Sequence, residues 1–311
     1  MPAISVLIAV FNGEHYVEET IGSLLGQTLS DWEIVIVDDG SSDDTPRQLV
    51  RLAARDARVR VFTQANAGLT HSLNRALDAA TGTYVARIDV GDIARADRFA
   101  QQKNFLDRRP EVVAVGSHLV WISPEGWPVA LYRCPLTHAE IDGGHISGLP
   151  GQMAHACLMI RREALTSIGG YREEFVVAQD YDLLMRLAEI GFLANVDEVL
   201  MKYRLDPEGI SSRRRDDQLR WAARALHDAR TRRGLAPLDA PPRLWTFTSR
   251  NDVLSKWVRE AIESGYYRTA RRYAWRLLYA RPSLNALRLL IRAGREEVRA
   301  VASGHARVVG W

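Results

Sequence analysis

Asp89 and Asp92 stand directly after the apolar run Tyr84–Ile88, separated by Val90 and Gly91. A short buried strand that opens at once into carboxylates and a glycine delivers acids to the carboxyl end of a sheet, where ligands of open α/β sheets collect. Two carboxylates at that place suit a hard divalent cation carrying phosphate oxygens. Taken alone, the same residues are equally a strand followed by an Asp-Gly-Asp turn. A second pair, Asp38 and Asp39, closes the run Ile34–Val37. An acid there can accept hydrogen bonds from a base N–H or a ribose hydroxyl, or it can serve as turn and cap material before the next helix. A third acid, Asp180, opens an apolar-periodic segment carrying Leu183, Leu184 and Leu187. By position it is first-turn helix material.

The elements that must position these acids alternate over the first ninety residues. Ile4–Ala9 reads as a buried strand broken by Asn12-Gly13, and a helix follows over 14–27. Ile34–Val37 is a second strand. Thr45-Pro46 then opens a helix with Thr45 as N-cap and Pro46 at the first helical position. Val59–Phe62 is a third strand. Gly68 opens a helix with Leu69, Leu73, Ala76, Leu77 and Ala80 on one face, and Gly82 closes it. Strand alternating with helix implies a parallel sheet with helices on its faces, so the acid-bearing strand ends share one rim. Beyond Asp92 the pattern predicts a helix over 98–109, strands over 112–122 and 129–132, and a loop region with one short helix over 134–154. A strand over 156–160, a helix over 180–189 and a last strand pair or long edge over 192–204 follow. Helices over 212–233, 251–264, 266–280 and 283–300 complete the chain, with Pro237, Pro241 and Pro242 marking a linker.

A chain of 311 residues, 47% hydrophobic and 25% charged, has the composition of a soluble globular protein. Its net charge of +3 gives no argument for nucleic acid. Two cysteines, Cys134 and Cys157, supply neither a disulfide framework nor metal spacing. The cysteine usage fits a reducing cytoplasm, there is no basic-then-apolar leader and no apolar run of membrane-spanning length, and the expectation is a cytoplasmic protein, at the inner face of the membrane if the C-terminal tail binds it. Residues 243–311 carry 14 Lys and Arg against 5 Asp and Glu, a net of +9 that leaves −6 for residues 1–242. No G-x-G-x-x-G follows the first strand and no P-loop pattern occurs, which disfavours dinucleotide and P-loop chemistry.

Taken as an ordered set, these residues resemble the inverting glycosyltransferases of family 2, which have the GT-A fold. The matching stretches are Ser5–Asn12, Ser23–Thr28 and Trp32–Asp43. They continue through Asn66–Leu69 with Leu73-Asn74 and Ala76-Leu77, and through Ala86–Ile93. A later block comprises Met159–Arg162, Gly169–Tyr171 and Gln179–Leu183. The resemblance covers about residues 3–205. It implies an α/β GT-A domain over 1–210, with a mostly parallel central sheet flanked by helices. The nucleotide-sugar half would be 1–95 and the acceptor half 96–210, followed by a helical C-terminal region over 211–311.

Position by position, the resemblance makes Asp39 the acid that holds the nucleotide base, often uracil, with Ala9 and Val10 as a wall of the base pocket. Asn12, Gly68, Asn74 and Val90 fall in matched donor-binding motifs. Asp89 is the first acid of the D-x-D element, which binds the donor diphosphate through Mg²⁺ or Mn²⁺. Asp180 matches the catalytic base. The implied reaction moves a sugar, with inversion, from a nucleotide-sugar donor, UDP-linked, to a glycan or lipid-linked acceptor in polysaccharide biosynthesis.

Three departures from the family pattern bear on this. Gly91 fills the place of the second D-x-D acid, leaving Asp92 to share metal duty with Asp89. Gln179 replaces the acid that often precedes the base. Tyr203-Arg204-Leu205-Asp206 lacks the histidine common after the last strand. The alternative that follows from Gly91 is a degenerate member that binds nucleotide sugar or glycan without turnover. A nucleotidyltransferase is disfavoured because Phe11–Glu14 is not a Gly-rich basic loop. His155 reads either as an acceptor-facing residue or as a satisfied loop histidine, and Trp121 and Trp127 either as a sugar-stacking pair or as core. The basic, aromatic tail over 243–311 reads either as a peripheral membrane contact or as a bundle with a solvated face.

Overall fold

The computed structural model describes residues 1–149, 151–206, 214–238, 241–243, 250–280 and 282–302. By internal contacts these form two units. The first comprises 1–118, 133–201 and 216–244, the second 119–132, 202–215 and 245–311. Residues 216–244 fall in the first unit, and residues 119–132, from the middle of the chain, fall in the second.

The strands are β1 (Ile4–Val10), β2 (Trp32–Asp38), β3 (Val59–Thr63), β4 (Tyr84–Arg87), β5 (Ile93–Ala94), β6 (Val112–Ile122), β7 (Pro128–Tyr132), β8 (Met159–Arg161) and β9 (Phe192–Arg204). They form one sheet in the order β3-β2-β1-β4-β8-β6-β9-β5, with β7 paired to β6. β3, β2, β1 and β4 run parallel, while β8 pairs antiparallel with both β4 and β6. β1 is opposite β2 from Ile4↔Trp32 to Val10↔Asp38 and opposite β4 from Ile4↔Tyr84 to Leu7↔Arg87. This register brings Asn12, Asp39 and Asp89 out on the same rim. The helices before the hairpin are α1 (Val17–Leu25), α2 (Thr45–Arg55), α3 (Leu69–Ala79) and α4 (Arg98–Asp107). Then come α5 (His138–Ile146), α6 (Arg162–Ser167) and α7 (Gln179–Leu187). α8 (Arg215–Arg232), α9 (Arg250–Glu263), α10 (Tyr267–Ala280) and α11 (Leu284–Ala302) complete the set.

β1 and β2 are almost wholly buried because their runs of Ile, Val and Leu pack on both faces. Leu73, Ala76, Leu77 and Ala80 join Leu7, Val35, Val37, Leu183, Leu184 and Leu187 in one core, so the helical spacing read from the sequence is the packed face. Local ends differ from expectation where a side chain has other work. The residue capping α2 is Asp44, because the Thr45 hydroxyl is spent on the Gly13 N–H at 2.8 Å. α1 starts at Val17 rather than residue 14, since Glu14 is bound to the β2 turn. α3 ends at Ala79, and Gly82 is no helix cap. A Cβ there would lie 2.6 Å from the Ser5 nitrogen, so its role is close approach to β1. The strand expected over 156–160 is a 3₁₀ turn, His155–Cys157, followed by β8.

In the second unit, the end of β6 and β7 form a hairpin closed by the Ser123–Trp127 turn, with Gly126 at φ +85°. Glu125 in that turn accepts from Tyr273 Oη at 2.6 Å and Arg276 at 2.5 Å. Trp121 stacks on Tyr132 with centroids 4.9 Å apart, and the Arg272 guanidinium lies 4.4 Å from the Trp127 ring. Both tryptophans are thus engaged by their own unit.

Candidate active site

The turns after β1 and β2 are laced together. The Asn12 N–H donates to Ser41 Oγ at 2.8 Å, the Ser42 N–H to Asn12 Oδ1 at 2.9 Å, and the Asp39 N–H to the Val10 carbonyl at 2.8 Å. Asn12 has φ +53°, a conformation Asn tolerates better than most residues. Gly13 lies so close to Val10 and Val90 that a Cβ would meet their methyls at 2.7 and 3.0 Å. Val10 and Val90 are therefore neighbours at Gly13, while Ala9 packs against the main core.

Asp39 is only 4% exposed. It accepts from the Ala67 N–H and Gln64 Nε2 on one oxygen, at 2.8 and 2.7 Å, and from the Gly68 N–H on the other at 2.8 Å. Burial pushes its pKa up, but these donors together with Ser72 outweigh it and hold the carboxyl below its usual range. Asp39 so fixes the N-terminus of α3, where Gly68 at φ +90° makes the turn. A carboxylate offers about four acceptor sites, so a base N–H can still join these donors.

α3 carries the geometry across the molecule. Both ends of the Asn74 amide bind the Tyr171 backbone, at 2.8 and 2.9 Å, and Thr70 Oγ1 donates to the Phe175 carbonyl at 2.7 Å. Asn74 is thereby a support for the 169–175 loop. That loop leads to Ala178, which takes φ +58° as the residue capping α7, and then to Asp180. Asp182 and Arg186 complete the support. Arg186 donates to Asp182 and to the Ile168 and Gly170 carbonyls, each at 2.8 Å.

Asp180 is partly exposed, and one of its oxygens accepts the Tyr181 N–H at 2.9 Å. Burial raises its pKa. The Tyr181 hydrogen bond and Arg87 act against this, the Asp89 charge adds to it, and the net shift is upward. Asp180, Asp89, Arg87, Tyr171 and His155 form one electrostatic cluster. His155 Nε2 lies 2.8 Å from Tyr171 Oη, and burial, helped by Arg87, keeps its pKa down at about 3, so the ring is neutral. The histidine thus has a partner in Tyr171 and sits beside Arg87 and Asp89.

Arg87 is a site residue that strand pattern alone did not reveal. It is fully buried and donates to Asp89 Oδ1 and to the Ile88 carbonyl. The available signal was a cation inside an otherwise apolar strand, two residues before the first acid.

With this arrangement in view, comparison with known proteins decides the family. The model of "Glycosyl transferase family 2" matches residues 5–169. The chain belongs to glycosyl transferase family 2. The amylovoran biosynthesis glycosyltransferase AmsE of Erwinia amylovora is 32% identical over 214 residues, spanning 68% of this chain and 79% of that protein. An uncharacterized glycosyltransferase of Haemophilus influenzae is 30% identical over 227 residues, 68% of each chain. Among solved structures, S. aureus TarS 1–349 in complex with UDP-GlcNAc superposes with TM-score 0.58 at 17% identity, covering 97% of this chain and 92% of that one. The mannosyltransferase PcManGT of Pyrobaculum calidifontis, in complex with GDP-Man and Mn²⁺, gives TM-score 0.53 at 20% identity, covering 97% and 76%. These likenesses establish the GT-A fold, and the chain is a glycosyltransferase of the family 2 type.

In this family 2 enzyme the D-x-D element does not fit a two-carboxylate cation site. Asp89 has its side chain 41% exposed, but Gly91 contributes no side chain and sits at φ +111°, a conformation that disfavours any other residue. Asp92, expected to share the metal with Asp89, is placed differently from it. It is 2% exposed and lies in the interior, where its charge supports that of the fully buried Arg98. Among the described residues, no group of three or more His, Cys, Asp or Glu is placed to hold a metal ion. Asp206 interacts with other residues of the protein, and the segment following it lies outside the described residues.

Proposed function

We propose that this glycosyltransferase moves a sugar from a nucleoside-diphosphate sugar, UDP-linked, to a hydroxyl of a glycan or lipid-linked acceptor, with inversion at the anomeric carbon. The nucleoside would lie along Ala9, Val10 and Asn12, with the base against Asp39. The diphosphate would lie toward Val90 and Asp89. Asp180 takes the proton from the acceptor hydroxyl as that oxygen forms its bond to the anomeric carbon. The bond from that carbon to the phosphate oxygen breaks, and its electron pair leaves with the nucleoside diphosphate on the opposite face. The observation that carries this reading is the placement of a partly exposed Asp180, at the start of α7, in one cluster with Asp89 and Arg87; burial shifts its pKa upward, the direction a base needs. The UDP and UDP-GlcNAc complexes of TarS support the choice of nucleotide, and AmsE supports a polysaccharide acceptor.

Asp180→Asn tests the assignment. Transfer or donor hydrolysis, scanned over UDP- and GDP-sugars, is expected to fall about 10²–10⁴-fold while donor binding persists. Equal turnover by the variant removes Asp180 as the base, and a product with retained configuration removes the single displacement. Because no second cation-binding carboxylate stands beside Asp89 among the described residues, excess chelator is expected to leave most of the turnover intact. The acceptor, on this reading, is presented at a membrane surface that residues 243–311 contact. Among the described residues no helix is long and apolar enough to cross a membrane.

A further inference from the structure

α11 carries three stripes where an ordinary surface helix has two. Ala286, Leu289, Ala293 and Ala300 form its buried face, and the helix packs against α10 and α9. Leu284, Leu287, Ile291, Val298 and Val301 are all exposed, Leu284 at 74% and Val298 and Val301 at 69%. At helical spacing they form a second apolar stripe about 26 Å long. Arg288, Arg292, Arg295 and Arg299 recur at the same spacing and form a row immediately beside that stripe. The two acids of the helix are occupied: Glu296 pairs with Arg299 at 2.9 Å and Glu297 with Arg271 at 2.8 Å. On α10, Trp275 and Tyr279 are exposed, the latter at 93%, on a face shared with Arg268 and Arg272. Isolated exposed leucines are normal, but a continuous apolar stripe edged by arginines is not.

We infer that the outward face of α11 is a docking surface for a bilayer carrying anionic phospholipid headgroups. The apolar stripe enters the headgroup–acyl boundary, and the arginine row pairs with phosphates while its aliphatic stems lie along the stripe. Charge decides between occupants. A second copy packed antiparallel on the same face would set arginine row against arginine row, whereas an anionic surface satisfies both stripes at once. The inference deepens the membrane-side acceptor reading above, and its test is scored without turnover.

The full chain is sedimented with vesicles of phosphatidylglycerol mixed with phosphatidylcholine, and with phosphatidylcholine alone. Binding is expected only to the anionic vesicles and is expected to weaken with added salt. Replacing Leu287, Ile291 and Val298 together by Ser should weaken partition by about a hundredfold. Arg288→Ala and Arg292→Ala should each weaken it about fivefold. Circular dichroism checks that the exposed-site variants remain folded. Asp180→Asn should bind vesicles as the parent does, so failure of the catalytic reading and failure of this one are separable. Equal binding to neutral vesicles, unchanged binding by the triple variant, or a dimer that the triple variant dissociates would each overturn the inference.

Discussion

At the scale of single residues, Asp180 sits between opposing influences. Burial and the Asp89 charge raise its pKa, while the Tyr181 N–H and Arg87 lower it. A base must be deprotonated, so the rate should fall on the acid side, with an apparent pKa above that of a free aspartate. Asp89→Asn removes a like charge and leaves Arg87 without its carboxylate partner. Both changes favour ionised Asp180, so the acid limb of kcat should move to lower pH even as activity falls; a limb that stays put or rises would show that the two acids do not share a field. Asp39, Asp89 and Asp180 stand out in the sequence because each ends or begins an apolar run, but the residues alone read equally as turn and cap material, and their proposed roles come from the family resemblance. Arg87 and the burial of Asp92 were not legible. In a strand buried on both faces, a charge carries no periodicity signal. The inward turn of Asp92 depends on Gly91 at φ +111° and on Arg98, which belongs to the next helix.

At the scale of elements, α3 is the beam between the nucleotide end and the base. Asp39 holds its start, and Asn74 and Thr70 hold the loop that leads to α7. Asn74→Ala leaves the Tyr171 N–H and carbonyl without their partner, and should cost about 2 kcal/mol of stability by denaturant titration. It should also lower kcat more than it raises donor KM, because the displaced segment carries Asp180 and not the nucleotide pocket. Equal stability would mean that the loop is held mainly by Arg186. Ala178 poses the converse case. Its φ of +58° costs an alanine about 1 kcal/mol, so Ala178→Gly should raise Tm unless the freer loop cancels the gain. The apolar face of α3 was readable from its spacing, and so were the positions of α8 to α11. The helix ends were not, since Thr45 and Glu14 turn to partners about thirty residues away.

At the scale of the whole molecule, the sheet separates chemistry from stability along its strands. The acids of the site leave the carboxyl ends of β1, β2 and β4, while a second polar cluster pins the opposite ends. Glu33 accepts from Ser5 Oγ at 2.7 Å, from the Thr81 N–H and hydroxyl at 2.9 and 2.7 Å, and from Arg60 at 2.7 Å. It thereby joins β1, β2 and β3 to the segment entering β4. None of this follows from local pattern, because Thr81 and Ser5 are far apart in sequence and a lone Glu in a strand reads as a solvent-facing residue. The same holds for two of the unit boundaries, which cut through β6 and β9. Burial alone would raise the Glu33 pKa, but its hydrogen bonds and Arg60 bring it down to about 2. A carboxyl whose folded pKa lies below its unfolded value stabilises the native state above the unfolded pKa. That contribution is lost as pH falls through the folded one. The window here runs from about 4.5 down to about 2, and the full shift corresponds to about 3 kcal/mol. Glu33→Gln should therefore lower stability at neutral pH by about 1–2 kcal/mol. It should also flatten the loss of stability between pH 4.5 and 2, while leaving donor KM at pH 7 unchanged. Urea titrations of both proteins across that range measure the two slopes. Parallel curves would show that Glu33 is not what ties this end of the sheet to its acid response.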